Sequence, residues 1–107
     1  MNMNDDTGTE ITDWNTVDHP VYQLRLFVAG TSSVSMRAIT NLQVILSEHL
    51  EGKYDLEVID VHQQPQIAIS EDITAVPMLI KKFPVPVRRL IGDMSDTAKV
   101  LRGLGIQ

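Results

Sequence analysis

One stretch decides how this chain folds: Tyr22-Gln23-Leu24-Arg25-Leu26-Phe27-Val28-Ala29-Gly30. Alternate positions of this stretch share one face of an extended strand, and that face carries Tyr22, Leu24, Leu26 and Val28. Phe27 and Ala29 make the opposite face partly apolar as well. The pattern predicts an interior strand over Tyr22 to Ala29 that is covered on both faces.

The residues that follow predict a helix and a second strand. Gly30 ends the first strand, and the hydroxyl residues 31–33 offer a helix cap. Apolar residues then recur at four-residue steps, at Val34, Ala38, Leu42, Leu46 and Leu50. Gly52 ends this helix, and Asp55 to Val61 has the pattern of a strand. A strand, a helix and a strand of these lengths form a right-handed unit in which the two strands are parallel.

A short helix and a third strand are predicted next. Pro65 stands where the first helical residue would be, and the helix is expected over Gln66 to Asp72. A strand over Thr74 to Lys81 follows, entered through Val76-Pro77. The segment Phe83-Pro84-Val85-Pro86 is too rigid and too poor in N–H donors to be anything but a connection.

Two further elements complete the predicted fold. Val87 to Ile91 is expected to return as a fourth strand, antiparallel to the third, and Gly92 turns the chain. A closing helix presents an apolar face made of Met94, Ala98, Leu101 and Leu104. The resulting order, β-α-β-α-β-β-α, is that of the thioredoxin fold. We therefore expect a single α/β domain with thioredoxin-like architecture.

Charge and composition divide the chain and exclude several classes of protein. Residues 1–20 hold five acids and no base, which predicts a flexible, acidic N-terminal arm before a folded domain over residues 21–107. Residues 21–73 carry a net charge of −4 and residues 74–107 one of +4. This polarity suits a charged protein partner but is too weak to predict nucleic-acid binding. The sequence shows neither a signal peptide nor an apolar run long enough for a membrane, so we expect a cytoplasmic protein without a membrane partner.

Catalytic chemistry is not predicted. The chain has no cysteine, so thiol redox activity is excluded at the first loop, where a thioredoxin enzyme places its reactive thiols. The hydroxyl residues 31–33 are interpreted as a helix cap, with a phosphate site as the alternative. The three histidines, His19, His49 and His62, have no metal-ligand spacing. We expect no cofactor, no metal and no enzymatic activity.

Two segments of the second half carry the most distinctive sequence, Ala75-Val76-Pro77-Met78-Leu79 and Phe83-Pro84-Val85-Pro86-Val87-Arg88-Arg89-Leu90-Ile91-Gly92-Asp93. With these segments the chain resembles the KaiB family, the small clock-associated partners of KaiC-type ATPases. The likeness extends from the first stretch, YQLRLFVAG at 22–30, through Leu56-Glu57-Val58-Ile59-Asp60-Val61. The resemblance implies a non-enzymatic regulator that binds a KaiC-like hexameric ATPase or kinase. It would modulate the phosphorylation or ATPase cycle of that partner, in clock or stress-response signalling.

The same resemblance implies that the fold itself can change. Members of the family adopt either a thioredoxin-like monomer or a ground-state fold that self-associates as a dimer or tetramer. The rearranged part would begin here at about Gln63. Pro77, Pro84 and Pro86 are the candidates for cis bonds and for the switch between folds.

The resemblance also implies a set of partner-binding residues, Arg37, Lys81, Arg88 and Arg89. Strand alternation adds that Arg88 and Arg89 point to opposite faces, so that one can meet a partner carboxylate while the other packs back. The alternative is that both are edge-strand charges that discourage aggregation. Asp55 and Glu57 stand where the family's surface for the regulator KaiA has small and basic residues, which argues against a KaiA-like partner. The alternative function is a cysteine-free thioredoxin-like adaptor or sensor domain for an unrelated protein.

Overall fold

The computed structural model describes residues 21–106. The acidic arm predicted over residues 1–20 lies outside the described residues. Seven elements follow one another in the predicted order: β1 (Tyr22–Val28), α1 (Ser33–His49), β2 (Tyr54–Asp60), α2 (Pro65–Ser70), β3 (Met78–Phe83), β4 (Arg88–Ile91) and α3 (Thr97–Leu104). This order confirms the thioredoxin-like α/β prediction.

The four strands form one sheet in the order β2-β1-β3-β4. β1 and β2 are parallel and pair along their whole length, from Tyr22 opposite Tyr54 to Val28 opposite Asp60. β3 is antiparallel to β1, and β4 is antiparallel to β3. The strand–helix–strand unit predicted from the first half of the chain is therefore confirmed, and β2 and β4 are the two edges of the sheet.

Helices cover the two faces of the sheet unequally. The larger core lies between the sheet and the helices α1 and α3; its members include Leu24, Leu26, Leu42, Leu46, Leu79, Val100 and Leu104. The smaller core lies on the other face, beneath α2, and consists of Phe27, Ile59, Met78 and Ile80 with partly buried neighbours. The short helix α2 buries none of its residues fully, so this face is held by fewer apolar contacts.

Serine hydroxyl groups connect the end of β1 to the start of α1. Ser32 is the N-cap of α1, and its hydroxyl accepts a hydrogen bond from the Ser35 N–H at 3.3 Å. The hydroxyl of Ser35 is buried and accepts the Ala29 N–H at 3.0 Å. These contacts give the hydroxyl-rich loop the helix-capping role that the sequence predicted.

The third strand begins later than predicted, at Met78 instead of Thr74. Its pairing with β1 starts at Met78 opposite Phe27, so the next pair would place Pro77 beside Val28. A proline has no N–H to donate to a strand ladder, and residues 74–77 therefore run outside the sheet. The peptide bonds before Pro77, Pro84 and Pro86 are all cis.

The apolar face predicted for the closing helix is wrong in two of its residues. Asp96 caps α3 by accepting the Lys99 N–H at 3.1 Å, so the helix begins only at Thr97. Met94 is buried, but it lies before the helix with a φ of 62°. Ala98 is exposed, and Val100 takes its place in the core beside Leu104.

Candidate partner-binding site

The β3–β4 hairpin holds three of the four basic residues predicted to bind a partner. In its register Lys81 lies opposite Arg88, and Ile80 lies opposite Arg89. Directly opposed residues share a face of the sheet, so Lys81 and Arg88 lie on the face covered by α1 and α3. Arg89 lies on the face covered by α2. The prediction that the two arginines point to opposite faces is confirmed.

Lys81 is a buried cation. Only 4 % of its surface is exposed, and it sits near Gly105, the residue that ends α3. Burial lowers the pKa of Lys81, and the positive charge of Arg88 lowers it further. Within residues 21–106 no hydrogen bond or carboxylate compensates this charge. Strand alternation places Lys81 on the face of Leu79, but the sequence does not show that the end of α3 lies beside this lysine and buries it.

Arg88, which lies opposite the buried Lys81 in the hairpin, is exposed. It occupies the first position of the edge strand β4, and none of the ion pairs formed within the described residues includes it. A guanidinium that lies beside a second, buried cation favours a carboxylate as its neighbour. Lys81 and Arg88 thus form one basic site at the edge of the sheet.

Arg89 is already occupied by contacts within the domain. Its guanidinium donates to the backbone carbonyl of Glu71 at 2.7 Å and to that of Asp72 at 3.4 Å. These bonds hold the segment that follows α2 against β4. The interpretation that one of the paired arginines packs back on the domain therefore applies to Arg89.

Arg37 lies apart from the basic hairpin site. It projects from α1 and pairs with Asp93 at 3.4 Å, just beyond the end of β4 that is opposite to Arg88. Asn41 donates to the Asp93 backbone carbonyl at 2.9 Å. Hydrogen bonds from Ser95, followed by the Arg37 interaction, lower the pKa of Asp93. The structure thus brings Lys81 and Arg88 together. Arg37 lies apart from them, in an ion pair with another residue of the same domain.

Two features of this region were not predicted from the sequence. The first is an exposed apolar tip on the hairpin, made by Phe83, Val85 and Val87. The alternation of proline and valine was available as a signal, since prolines keep neighbouring residues out of a strand ladder. The second is the carboxylate of Glu71, which joins Arg25 and Lys82. The positions of these three residues in the sequence do not indicate that they are in contact.

Other predicted or excluded chemistry can be placed on the structure. His49 and His62 are exposed, and His19 lies outside the described residues. In the described part of the chain, no group of three or more His, Asp or Glu side chains is placed to hold a metal ion. None of the helices in residues 21–106 is long and apolar enough to cross a membrane.

The fold and this site together define a thioredoxin-like protein whose first loop carries serines in place of a thiol centre. Comparison with known proteins then identifies its family. Residues 25–106 match the model of the KaiB domain, and the chain belongs to the KaiB family. It is 50 % identical over 90 residues to a circadian clock oscillator protein KaiB of Prochlorococcus marinus, and the matched region covers 84 % of each chain. It is 51 % identical over 83 residues to the circadian clock protein KaiB3 of a Synechocystis strain, covering 78 % of this chain and 81 % of the relative.

Solved structures support the same architecture. The N-terminal domain of Synechococcus elongatus SasA superposes with a TM-score of 0.65 at 25 % identity, covering 81 % of this chain and 86 % of that domain. Mitochondrial thioredoxin 3 of Saccharomyces cerevisiae superposes with the same TM-score at 16 % identity, covering 88 % of this chain and 87 % of the thioredoxin. The second likeness concerns the fold alone. The chain is thus a member of the KaiB family with a thioredoxin-like fold.

Proposed function

We propose that this protein is a non-enzymatic regulator that binds a KaiC-like hexameric ATPase and modulates its phosphorylation or ATPase cycle. Membership of a family of circadian clock proteins supports a regulatory role. The chain has no cysteine, which removes the thiol chemistry of this fold and favours regulation through binding. The alternative fold and the dimer or tetramer that the resemblance implies remain predictions.

The observation that carries the proposal is the position of Arg88. Arg25, Arg37 and Lys82 are bound to acidic side chains of the domain itself, and Arg89 is bound to its backbone. Arg88 is exposed on an edge strand and has no such partner within residues 21–106. A partner carboxylate can therefore approach it without breaking an internal contact, and an arginine–carboxylate pair can form two parallel hydrogen bonds.

The proposal is tested by size-exclusion chromatography with light scattering. The purified protein is measured alone and mixed with the KaiC-like ATPase of the same organism, in ATP and in ADP, over several hours. We expect a large complex with the wild type, and a changed ATPase rate or phosphorylation level of the partner. Separate elution of the two proteins at micromolar concentration under every condition would refute the proposal.

A charge-reversed variant locates the contact. Arg88→Glu is expected to abolish the complex, because it places an acid where we expect a partner carboxylate. Lys53→Glu is the matched control: it makes the same change in net charge at another exposed position, next to β2. Equal binding by Arg88→Glu and the wild type would favour the adaptor alternative, in which this site is not used for the ATPase.

A further inference from the structure

The tip of the β3–β4 hairpin concentrates exposed apolar surface. Eight large apolar side chains are exposed in the described residues, and three of them lie within the five positions 83–87. Val85 is 74 % exposed and Val87 54 % exposed, and Phe83 stands beside them at the end of β3. Single exposed apolar residues are common on protein surfaces, but a group of them on one projecting turn marks a contact site.

Two prolines restrict the backbone of the tip in this fold. Pro84 and Pro86 alternate with Phe83, Val85 and Val87, and each proline ring fixes one backbone torsion. Valine has few side-chain rotamers, so little side-chain entropy is lost when it is buried by a partner. A surface that is ordered before binding retains more of the free energy of its contacts.

Positive charge lies next to the tip. Arg88 follows Val87 directly and has no carboxylate partner in the described part of the chain, and the buried Lys81 lies opposite it. Lys82, on the other strand, is neutralised by Glu71 at 2.7 Å. The tip is therefore apolar at its end and basic along one side. A pocket that fits it has an apolar floor and an acidic rim.

We propose that the hairpin tip, residues 83–87, is the apolar anchor by which this protein docks into such a pocket on the KaiC-like ATPase. The inference rests on the proposed function. It adds an apolar contact to the charged contact made by Arg88. Arg88 pairs with the acidic rim and orients the docking, while Val85 and Val87 leave water and fill the pocket. Buried apolar anchors of this kind supply most of the binding free energy of an interface, and rim charges mainly affect association and its salt dependence.

A protein partner fits these observations better than a lipid surface does. Attachment to an anionic membrane needs several free basic residues beside the inserted apolar group. Here Lys82 is held by the Glu71 carboxylate and Arg89 by the Glu71 backbone carbonyl, so that of the exposed basic residues 82, 88 and 89 only Arg88 is without such a bond within residues 21–106, and the whole chain has a formal net charge of −5.

The test compares the dissociation constants of tip variants for the full ATPase ring. Val85→Asp is expected to weaken binding at least about tenfold, since a charge would have to enter an apolar pocket. Val44→Asp is the matched control, because Val44 is 51 % exposed on α1, away from the hairpin. Circular dichroism and thermal unfolding check that both variants fold. Val85→Ala is the second variant, and it is expected to weaken binding without changing the salt dependence, whereas Arg88→Gln, which removes a charge without reversing it, is expected to reduce the salt dependence.

The outcomes separate the anchor from the proposed function. If the wild type does not bind the ATPase, both are overturned. If the wild type binds and Val85→Asp binds equally well, the anchor alone is overturned. Sedimentation with phosphatidylserine vesicles tests the lipid alternative. Wild-type binding to vesicles that Val85→Asp loses, with unchanged affinity for the ATPase, would assign the tip to a membrane and overturn the proposal.

Discussion

The guanidinium of Arg25 lies 2.8 Å from the carboxylate of Glu71, across 46 positions of the chain. The same carboxylate oxygen accepts Lys82 at 2.7 Å, and the backbone carbonyl of Glu71 accepts Arg89 at 2.7 Å. Arg25 belongs to β1, Lys82 to β3 and Arg89 to β4. One residue after α2 is thus bonded to three strands, on the face of the sheet that has the smaller apolar core.

Glu71→Gln should therefore lower the free energy of unfolding by about 1 kcal/mol, because it removes the charge shared by two partly buried ion pairs. Urea unfolding measures this change. Glu48→Gln is the control, since Glu48 is an exposed residue of α1 that takes part in none of the ion pairs of the described residues. Equal stability of both variants would show that the Glu71 contacts contribute nothing.

The contribution of Glu71 to the free energy of unfolding should also depend on pH. The hydrogen bond from Lys82, aided by the charges of Lys82, Arg25 and Arg89, lowers the pKa of Glu71 in the folded protein. A lowered folded-state pKa stabilises the fold fully above the unfolded value, about 4.3, and this stabilisation is lost as pH falls through the folded-state value. The stability difference between wild type and Glu71→Gln should therefore shrink between about pH 5 and pH 3. A difference that stays constant over this range would contradict the assignment.

Substitution by methionine should change the free energy of unfolding in opposite directions at Lys81 and at Lys82. Lys81 is buried without a compensating acid among residues 21–106, so Lys81→Met should raise the free energy of unfolding at pH 7 by about 1 kcal/mol. Lys82→Met breaks the bond to Glu71 and should lower it by up to about 1 kcal/mol. Chemical denaturation of both variants measures the contrast.

The gain from Lys81→Met has a pH signature of its own. Desolvation lowers the folded-state pKa of Lys81, so the cost of its charge is fully present below that value. The cost is relieved as pH rises toward the unfolded value, about 10.4. The advantage of the variant should therefore decrease between neutral pH and about pH 10. An advantage that does not change with pH would attribute the gain to packing alone.

Gly103 and Leu90 should be energetically coupled. A Cβ atom added at Gly103 would lie 2.6 Å from Leu90 Cδ1 and 2.9 Å from Leu90 Cγ, which is too close without movement of Leu90. Gly103→Ala should lower the free energy of unfolding by about 1 kcal/mol in the wild type through overpacking. With Leu90→Ala already present, the same change should be neutral or stabilising, because alanine favours helix. A double-mutant cycle measures the coupling, and additive effects would refute it.

Ser32→Ala should affect stability and leave partner binding unchanged. The Ser32 hydroxyl caps α1, and loss of an N-cap costs about 1 kcal/mol. Ser33→Ala is the control, since Ser33 is exposed and is not the cap. Loss of ATPase binding with Ser32→Ala, without unfolding, would instead revive the interpretation of residues 31–33 as a ligand site.

Local pattern determined the order of the elements and much of the core of this protein. Leu24, Leu26, Leu42 and Leu46 are buried because strand and helix periods place them on faces that neighbouring elements cover. The opposite directions of Arg88 and Arg89 follow from the same alternation, and the cap at Ser32 from a local hydrogen bond. Such features depend on residues close together in the chain, so they can be read from the sequence.

Only the tertiary structure decided which charges of the site are free. Lys81 and Lys82 are neighbours of the same type, yet one is buried near the end of α3 and the other is paired with Glu71. Arg88 takes part in none of the ion pairs of the described residues, whereas Glu71 is paired with Arg25 and Lys82, and Asp93 with Arg37. The late start of β3 likewise depends on where β1 ends beside Pro77. Each of these outcomes is set by contacts between distant segments, whose positions no local period encodes.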